Sequence, residues 1–140
     1  MIEGLIITKE KIIFNENGNI LHGIRKDSSG FDGFGEAYFS SIKYNTVKAW
    51  KRHKNMTLNL LVPSGKVCFV AYEDKDNIHK FVLSSKSYFR LTVPPMIWFG
   101  FKGLSIKNSL ILNIANICHD PTEVERCELI DINFNWDKIK

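Results

Sequence analysis

The stretch "VKAWKRHKNMTLNLLVPSGKVCFVAYED", Val47 to Asp74, carries the most information about how this chain folds. Five of the seven residues from Lys48 to Lys54 are Lys, Arg or His. A mostly apolar run, "TLNLLV", follows and ends in a Pro63-Ser64-Gly65 turn. A second apolar run, "KVCFVAY", leaves that turn and stops at "DKDN". Two short runs rich in Val, Leu and Phe on either side of a Pro-Ser-Gly turn read as paired strands.

The pattern repeats on both sides. "LIITKEKIIF" leads into "NENGN", where Asn17-Gly18 marks a hairpin turn. "EAYFSSI" alternates, and the expectation is that Ala37 and Phe39 share one side, with Ile42 a candidate to join them. "KFVLS", "SKSYFRLTV" and "SLILNIANI" complete a series of short strands separated by turn residues. Such a series predicts an all-β sandwich or barrel. One segment reads as helix. In "HDPTEVERCEL", Asp120 caps, Pro121 takes the first helical position and Glu123 follows three residues after the cap, giving a short helix from Pro121 to Glu128.

With 140 residues the chain is expected to form a single domain, 1–140, large enough for its own core. Its composition, 44% apolar and 24% charged, is that of an ordinary globular protein. No run approaches the roughly 20 apolar residues of a membrane span. The N-terminus has an early Glu3 and no secretion-signal pattern, so a cytoplasmic location is expected. Cys68, Cys118 and Cys127 are odd in number and form no Cys-x-x-Cys, which gives no support to a zinc or dithiol site. A net charge of +4 favours an anionic partner. The excess is mild and the C-terminal third is acidic, which counts against nucleic acid.

Two stretches carry candidate chemistry. In a strand, residues two apart share a face, so Lys51 and His53 point one way, with Ala49, and Trp50 and Arg52 point the other. That basic face suits an anionic ligand, or is a solvated edge of the kind strands use against aggregation. The second stretch is "RLTVPPMIWFGFKGLS", where Trp98, Phe99 and Phe101 crowd together after Pro94-Pro95. These aromatics read as core at a barrel rim or as walls for a sugar ring or base. The glycine-rich "SSGFDGFG" runs into a strand pattern rather than a helix, so it reads as a structural turn and not a phosphate cradle. His22 and His79 read as solvated loop residues.

Taken in order, these motifs resemble those of the small cupins that act on nucleotide-linked keto-sugars. These are the dTDP-4-keto-6-deoxyhexose 3,5-epimerases and the related sugar 3,4-ketoisomerases. The epimerases' Arg-Gly-Leu-His-Tyr and the ketoisomerases' Arg-Gly-x-His-x-His-Lys motifs correspond to Lys48-Ala49-Trp50-Lys51-Arg52-His53-Lys54. The apolar strand and Gly turn of "TLNLLVPSGKVCFVAYED" come next, and the epimerases' Pro-x-Gly-Phe-Ala-His-Gly-Phe is echoed by Pro94 to Phe101. "CHDPTEVE" and the "FNW" ending at Trp136 echo the family's C-terminal motif. The likeness runs from about Glu36 to Trp136. The chain departs from the motifs at Lys51 (first motif His), Phe99 (downstream His), Lys48 (motif Arg) and Ile117-Cys118-His119 (near the acid Tyr).

The resemblance implies a double-stranded β-helix, the cupin jelly roll, and an isomerase of a nucleotide-linked 4-keto-6-deoxy sugar in bacterial surface-polysaccharide synthesis. A sugar 3,4-ketoisomerase or a non-catalytic sugar-nucleotide binder is the alternative. It implies proton transfer by His53 and Lys51, with Tyr38 and Tyr44 as acids. It implies a binding set of Lys48, Arg52, Trp98, Phe99, Asn113 and His119. With one histidine left of a cupin metal set, a metal-free pocket without cofactor is expected. The expected partners are the nucleotide-sugar substrate and a second copy of the chain in a homodimer, with no nucleic acid and no membrane.

Overall fold

The computed structural model describes residues 2–140. Twelve strands form among them: β1 (Ile6–Lys9), β2 (Ile12–Ile13), β3 (Ile20–Leu21), β4 (Glu36–Ile42), β5 (Val47–His53), β6 (Leu58–Ser64), β7 (Lys66–Asp74), β8 (Asn77–Ser84), β9 (Phe89–Val93), β10 (Trp98–Gly103), β11 (Ser109–Ala115) and β12 (Val124–Arg126). One sheet has the order β1-β9-β6-β11-β4, the other β12-β5-β10-β7-β8, and β2 pairs with β3 as the hairpin expected at Asn17-Gly18. The two five-stranded antiparallel sheets face each other as a jelly roll. No helix among the described residues is long and apolar enough to cross a membrane.

Period-2 alternation builds the core. Leu58, Leu60 and Val62 of β6 meet Phe69 and Ala71 of β7 across the interior, with Leu91, Val93, Ile111 and Ala115 beside them, all buried. The tight turn between β6 and β7 needs Gly65, whose φ is +87° and whose missing Cβ would strike Ser109.

A second apolar layer covers the outer face of the β5–β10–β7 sheet. Trp50, Cys68 and Val70 receive Ile132, Trp136 and Ile139 of the C-terminal segment. The Trp50 and Trp136 rings lie 5.2 Å apart, and Phe134 packs edge-on to Trp136 at 4.9 Å. The buried Lys102 ties this segment down. Its Nζ donates to the carbonyl oxygens of Trp136 (2.9 Å) and Ile139 (2.8 Å). On the opposite sheet the fully buried Arg90 holds the glycine-rich loop. It donates to the Ser29 carbonyl (2.8 Å) and to Glu10 (2.8 Å), while Asn59 donates to the Gly30 carbonyl (3.0 Å). The loop leads directly into β4, so it is a structural turn.

Four expectations are corrected. The helix from Pro121 to Glu128 is not formed. Asp120 does cap, accepting from the Thr122 amide, but only one 3₁₀ turn follows, Pro121–Glu123, before the chain extends into β12. A helix so short has little stability of its own, and pairing Val124 with His53 covers the open edge of β5. In β4, Tyr38 and Ser40 face the interior beside a cavity. Phe39 is 62% exposed and pairs with Leu112. The side chains on the strand's inner face are polar because that end of the barrel is hollow. Ala49 does not share a face with Lys51. Between the pairs Phe99–Lys51 and Phe101–Lys48, β5 has two residues, Ala49 and Trp50, where β10 has one, Gly100. That bulge turns Lys48 inward and sends Ala49 with Trp50 to the outer layer, against Gly100. His79 lies within β8, paired with Ala71, not in a loop.

Lys102→Met removes the donors for both C-terminal carbonyls. It is expected to lower unfolding stability by about 2 kcal/mol and to speed amide exchange from Trp136 to Ile139. Hydrogen exchange and thermal melting report both effects, and an unchanged protein contradicts the strap.

Candidate active site

The β5 bulge and the twist of the two sheets leave a hollow at one end of the barrel. It has two lobes of about 310 and 180 Å³, the larger at the lower end of the range of small-ligand pockets. Lys48, Lys51, Phe99 and Phe101 line both lobes. Arg126 of β12, paired in register with Lys51, borders the larger lobe. Tyr38, Ser40 and Asn113 of the facing sheet border the smaller. Three cations and no carboxylate line the hollow, so its field favours an anion.

Next to it lies a buried His–Glu pair. His53 Nδ1 hydrogen-bonds Glu123 Oε1, and both side chains are almost fully buried. Glu123 Oε2 accepts from the backbone amides of Asn55 (3.1 Å) and Met56 (3.3 Å). Burial alone would raise the Glu123 pKa. The bonds from His53 and the two amides outweigh burial and hold it below the ordinary value, so the side chain is a carboxylate. Burial lowers the His53 pKa below 6.5 against the pull of Glu123. The imidazole is therefore neutral at pH 7, with Nδ1–H donating to Glu123 and Nε2 carrying the lone pair. Nε2 has no partner in the chain and is closed to solvent. The His53 ring stacks on Phe99 with centroids 6.2 Å apart, and Lys51 Nζ lies 5.7 Å from the same ring's centre. Burial, with Arg126 and Lys48 as like charges, lowers the Lys51 pKa; Glu123 opposes them.

On the facing sheet Asn113 Nδ2 donates to Tyr38 Oη (2.9 Å). Asn113 Oδ1 is buried without a partner. A free acceptor there and a free His53 Nε2 are groups that a ligand can satisfy.

The structure thus brings together Lys48, Lys51, His53, Tyr38, Phe99 and Asn113. It does not bring the other four residues of the sequence reading. Arg52 projects to the outer face, where it donates to Glu125 (2.6 Å) and stacks 4.6 Å over Trp98. Trp98 packs in the outer apolar layer, because strand alternation sends it opposite to Phe99. Tyr44 lies in a separate surface hollow with Lys102 and Asp137. His119 is exposed ahead of the 3₁₀ turn. Glu123 and Arg126 were missed. Both sit in the segment read as helix, where Glu123 looked like a capping residue. Among the described residues no three His, Cys, Asp or Glu side chains converge as a metal set would.

No protein-family model matches the chain. It is similar in fold to the dTDP sugar isomerase of Desulfovibrio desulfuricans G20, with TM-score 0.92 and 33% identity over 99% of this chain and 94% of that one. The 3,4-ketoisomerase QdtA of Thermoanaerobacterium thermosaccharolyticum, solved in complex with TDP, has TM-score 0.78 and 20% identity, covering 91% of this chain and 90% of that one. By sequence the chain is 24% identical over 114 residues to a Haloferax volcanii protein described as "Probable low-salt glycan biosynthesis epimerase Agl13", 76% of this chain and 73% of that protein.

The Glu123 carboxylate raises the His53 pKa, so Glu123→Gln is expected to drop it further below 6.5. With one acceptor oxygen left for the His53 N–H and the two amides, the variant should also lose about 1–3 kcal/mol. In the unaltered chain both depressed groups act alike. Stability falls as pH drops through 6.5, where the unfolded histidine takes a proton first, and again through 4.5 for the glutamate. Imidazole NMR titration of both proteins checks the shift; an unchanged or raised His53 pKa contradicts it.

Proposed function

We propose a reaction for this chain, which belongs to the RmlC-like cupin family of dTDP-sugar isomerases and epimerases: it epimerises a nucleotide-linked 4-keto-6-deoxy sugar beside the ketone, by proton transfer without a metal. The observation that carries this reading is His53. Its Nδ1 is committed to a buried carboxylate, its Nε2 has no partner, and its ring packs on Phe99, which lines the cationic cavity.

The chemistry follows from the substrate. A C4 ketone acidifies the hydrogens on C3 and C5. A base with a pKa near or below neutral removes one, and His53 Nε2 is that base. The charge that develops at the C4 carbonyl then needs an electrophilic partner, and Lys51 is the group that meets C4. Lys48 and Arg126 meet the diphosphate. Asn113 Oδ1 accepts from a sugar hydroxyl. Tyr38, on the opposite wall, returns a proton to the other face. A second reading, 3,4-ketoisomerisation, draws support from His53 itself, which occupies the second histidine position of the ketoisomerase motif. We place the protein in the cytoplasm, in surface-glycan synthesis, as a two-fold homodimer. The exposed Phe39 on the outer face of the free-edged strand β4 supports the dimer.

Proton NMR of dTDP-4-keto-6-deoxyglucose in D₂O tests the reading. The protein should catalyse deuterium uptake at C3, at C5 or at both. His53→Asn should slow it by roughly 10²- to 10⁴-fold. The acid limb of kcat/KM should lie below pH 6.5, since burial lowers the His53 pKa and the base works deprotonated. Undiminished exchange in His53→Asn would sink the assignment.

A further inference from the structure

Lys51 has features that electrostatic stabilisation does not require. It lines both lobes of the cavity. It has no hydrogen bond or ion pair among the described residues, whereas Lys48 donates to the Ser41 carbonyl (3.1 Å) and Lys102 to two carbonyls. Its Nζ and the His53 imidazole both lie against the Phe99 ring. A primary amine that lines the cavity and a buried imidazole thus pack on one aromatic ring of its wall. In a 4-keto sugar, the carbonyl carbon and the carbon that loses its hydrogen are bonded neighbours. One bound ring can therefore present C4 to the amine and C3 to the imidazole.

We propose that Lys51 acts covalently, condensing with the C4 ketone to an iminium through which His53 epimerises the adjacent carbon. The proposal rests on the 4-keto substrate reading above. The lone pair of the neutral amine forms the N–C4 bond as the carbonyl π pair moves to oxygen. The oxygen gains protons, leaves as water and gives the iminium. His53 Nε2 takes the C3 hydrogen as a proton. The C–H pair becomes the C3–C4 double bond and the C–N π pair returns to nitrogen, forming a neutral enamine. Tyr38 Oη, on the facing sheet, delivers a proton to the opposite face of C3 and restores the iminium. Water then adds at C4 and releases Lys51 and the epimerised ketone. Solvent returns the proton to Tyr38, and the water that enters as product leaves takes the one on His53. Burial and the like charges of Arg126 and Lys48 favour the neutral amine that the first step consumes.

The scheme limits the outcome. Proton return to C3 gives an epimer that hydrolyses free. Transfer of the double bond toward the C3 hydroxyl would leave the amine on carbon and trap the enzyme. The proposal therefore requires epimerisation and excludes 3,4-ketoisomerisation through this intermediate.

The test is reductive trapping of the full chain with dTDP-4-keto-6-deoxyglucose and cyanoborohydride, followed by peptide mass mapping. The expected result is a gain on Lys51 of one sugar nucleotide less one oxygen atom. It should be absent in Lys51→Arg, which keeps the charge and cannot form the imine. Lys51→Arg should lose on the order of 100-fold or more in C3 exchange. Circular dichroism and dTDP binding establish that this variant folds. C3 exchange without a Lys51 adduct overturns the covalent step but leaves the proton-transfer reading intact. A Lys51 adduct without exchange supports the imine and overturns the epimerase reading. Neither adduct nor exchange overturns both. A released 3-keto product overturns the proposal.

Discussion

The buried carboxylate of Glu123 organises the site end of this molecule. A carboxylate can be buried only when its oxygens are occupied, and here His53 Nδ1 and the amides of Asn55 and Met56 occupy them. One side chain thereby joins the end of β5, the turn into β6 and the C-terminal segment. The same contact fixes the histidine tautomer, leaves Nε2 free and forces the chain after Pro121 to extend as β12. That extension in turn brings Arg126 to the cavity.

The second determinant is the bulge in β5. Without it, strict alternation would present Ala49, Lys51 and His53 inward. With it, Lys48 joins Lys51 at the cavity, and the small Ala49 and Gly100 let the sheet close against Trp136. The cation cluster and the outer aromatic layer are thus two consequences of one local irregularity. The buried Lys102 anchors the segment that completes that layer.

The strands around Gly65 and the barrel class were legible in the sequence because core strands obey a two-residue period and turns need Gly, Pro or Asn. Lys51 and His53 were legible as a pair for the same reason. The period failed where the interior is not apolar. Tyr38 and Ser40 face a cavity, so hydrophobicity pointed to Phe39 and Ala37 instead. It failed again at the bulge, because no local pattern in "VKAWKRH" announces an extra residue. The capping signal at Asp120 was read correctly for its first turn. Continuing it as helix overlooked a tertiary demand, the lone buried histidine that needed an acceptor. Trp98 and Arg52 looked like ligand contacts by composition, yet their positions in the strand register assign them to the outer face, where they stack on each other.

The central claim is that a sugar ring sits in this hollow with His53 beside the carbon that loses its hydrogen. A crystal structure of the complex with dTDP-glucose, an unreactive 4-hydroxy analogue, tests it most directly. The account predicts the pyranose against Phe99, O4 beside Lys51 Nζ, and His53 Nε2 within roughly 3–3.5 Å of C3 or C5. A sugar bound outside the hollow, or one whose C3 and C5 both lie beyond reach of His53, would contradict it.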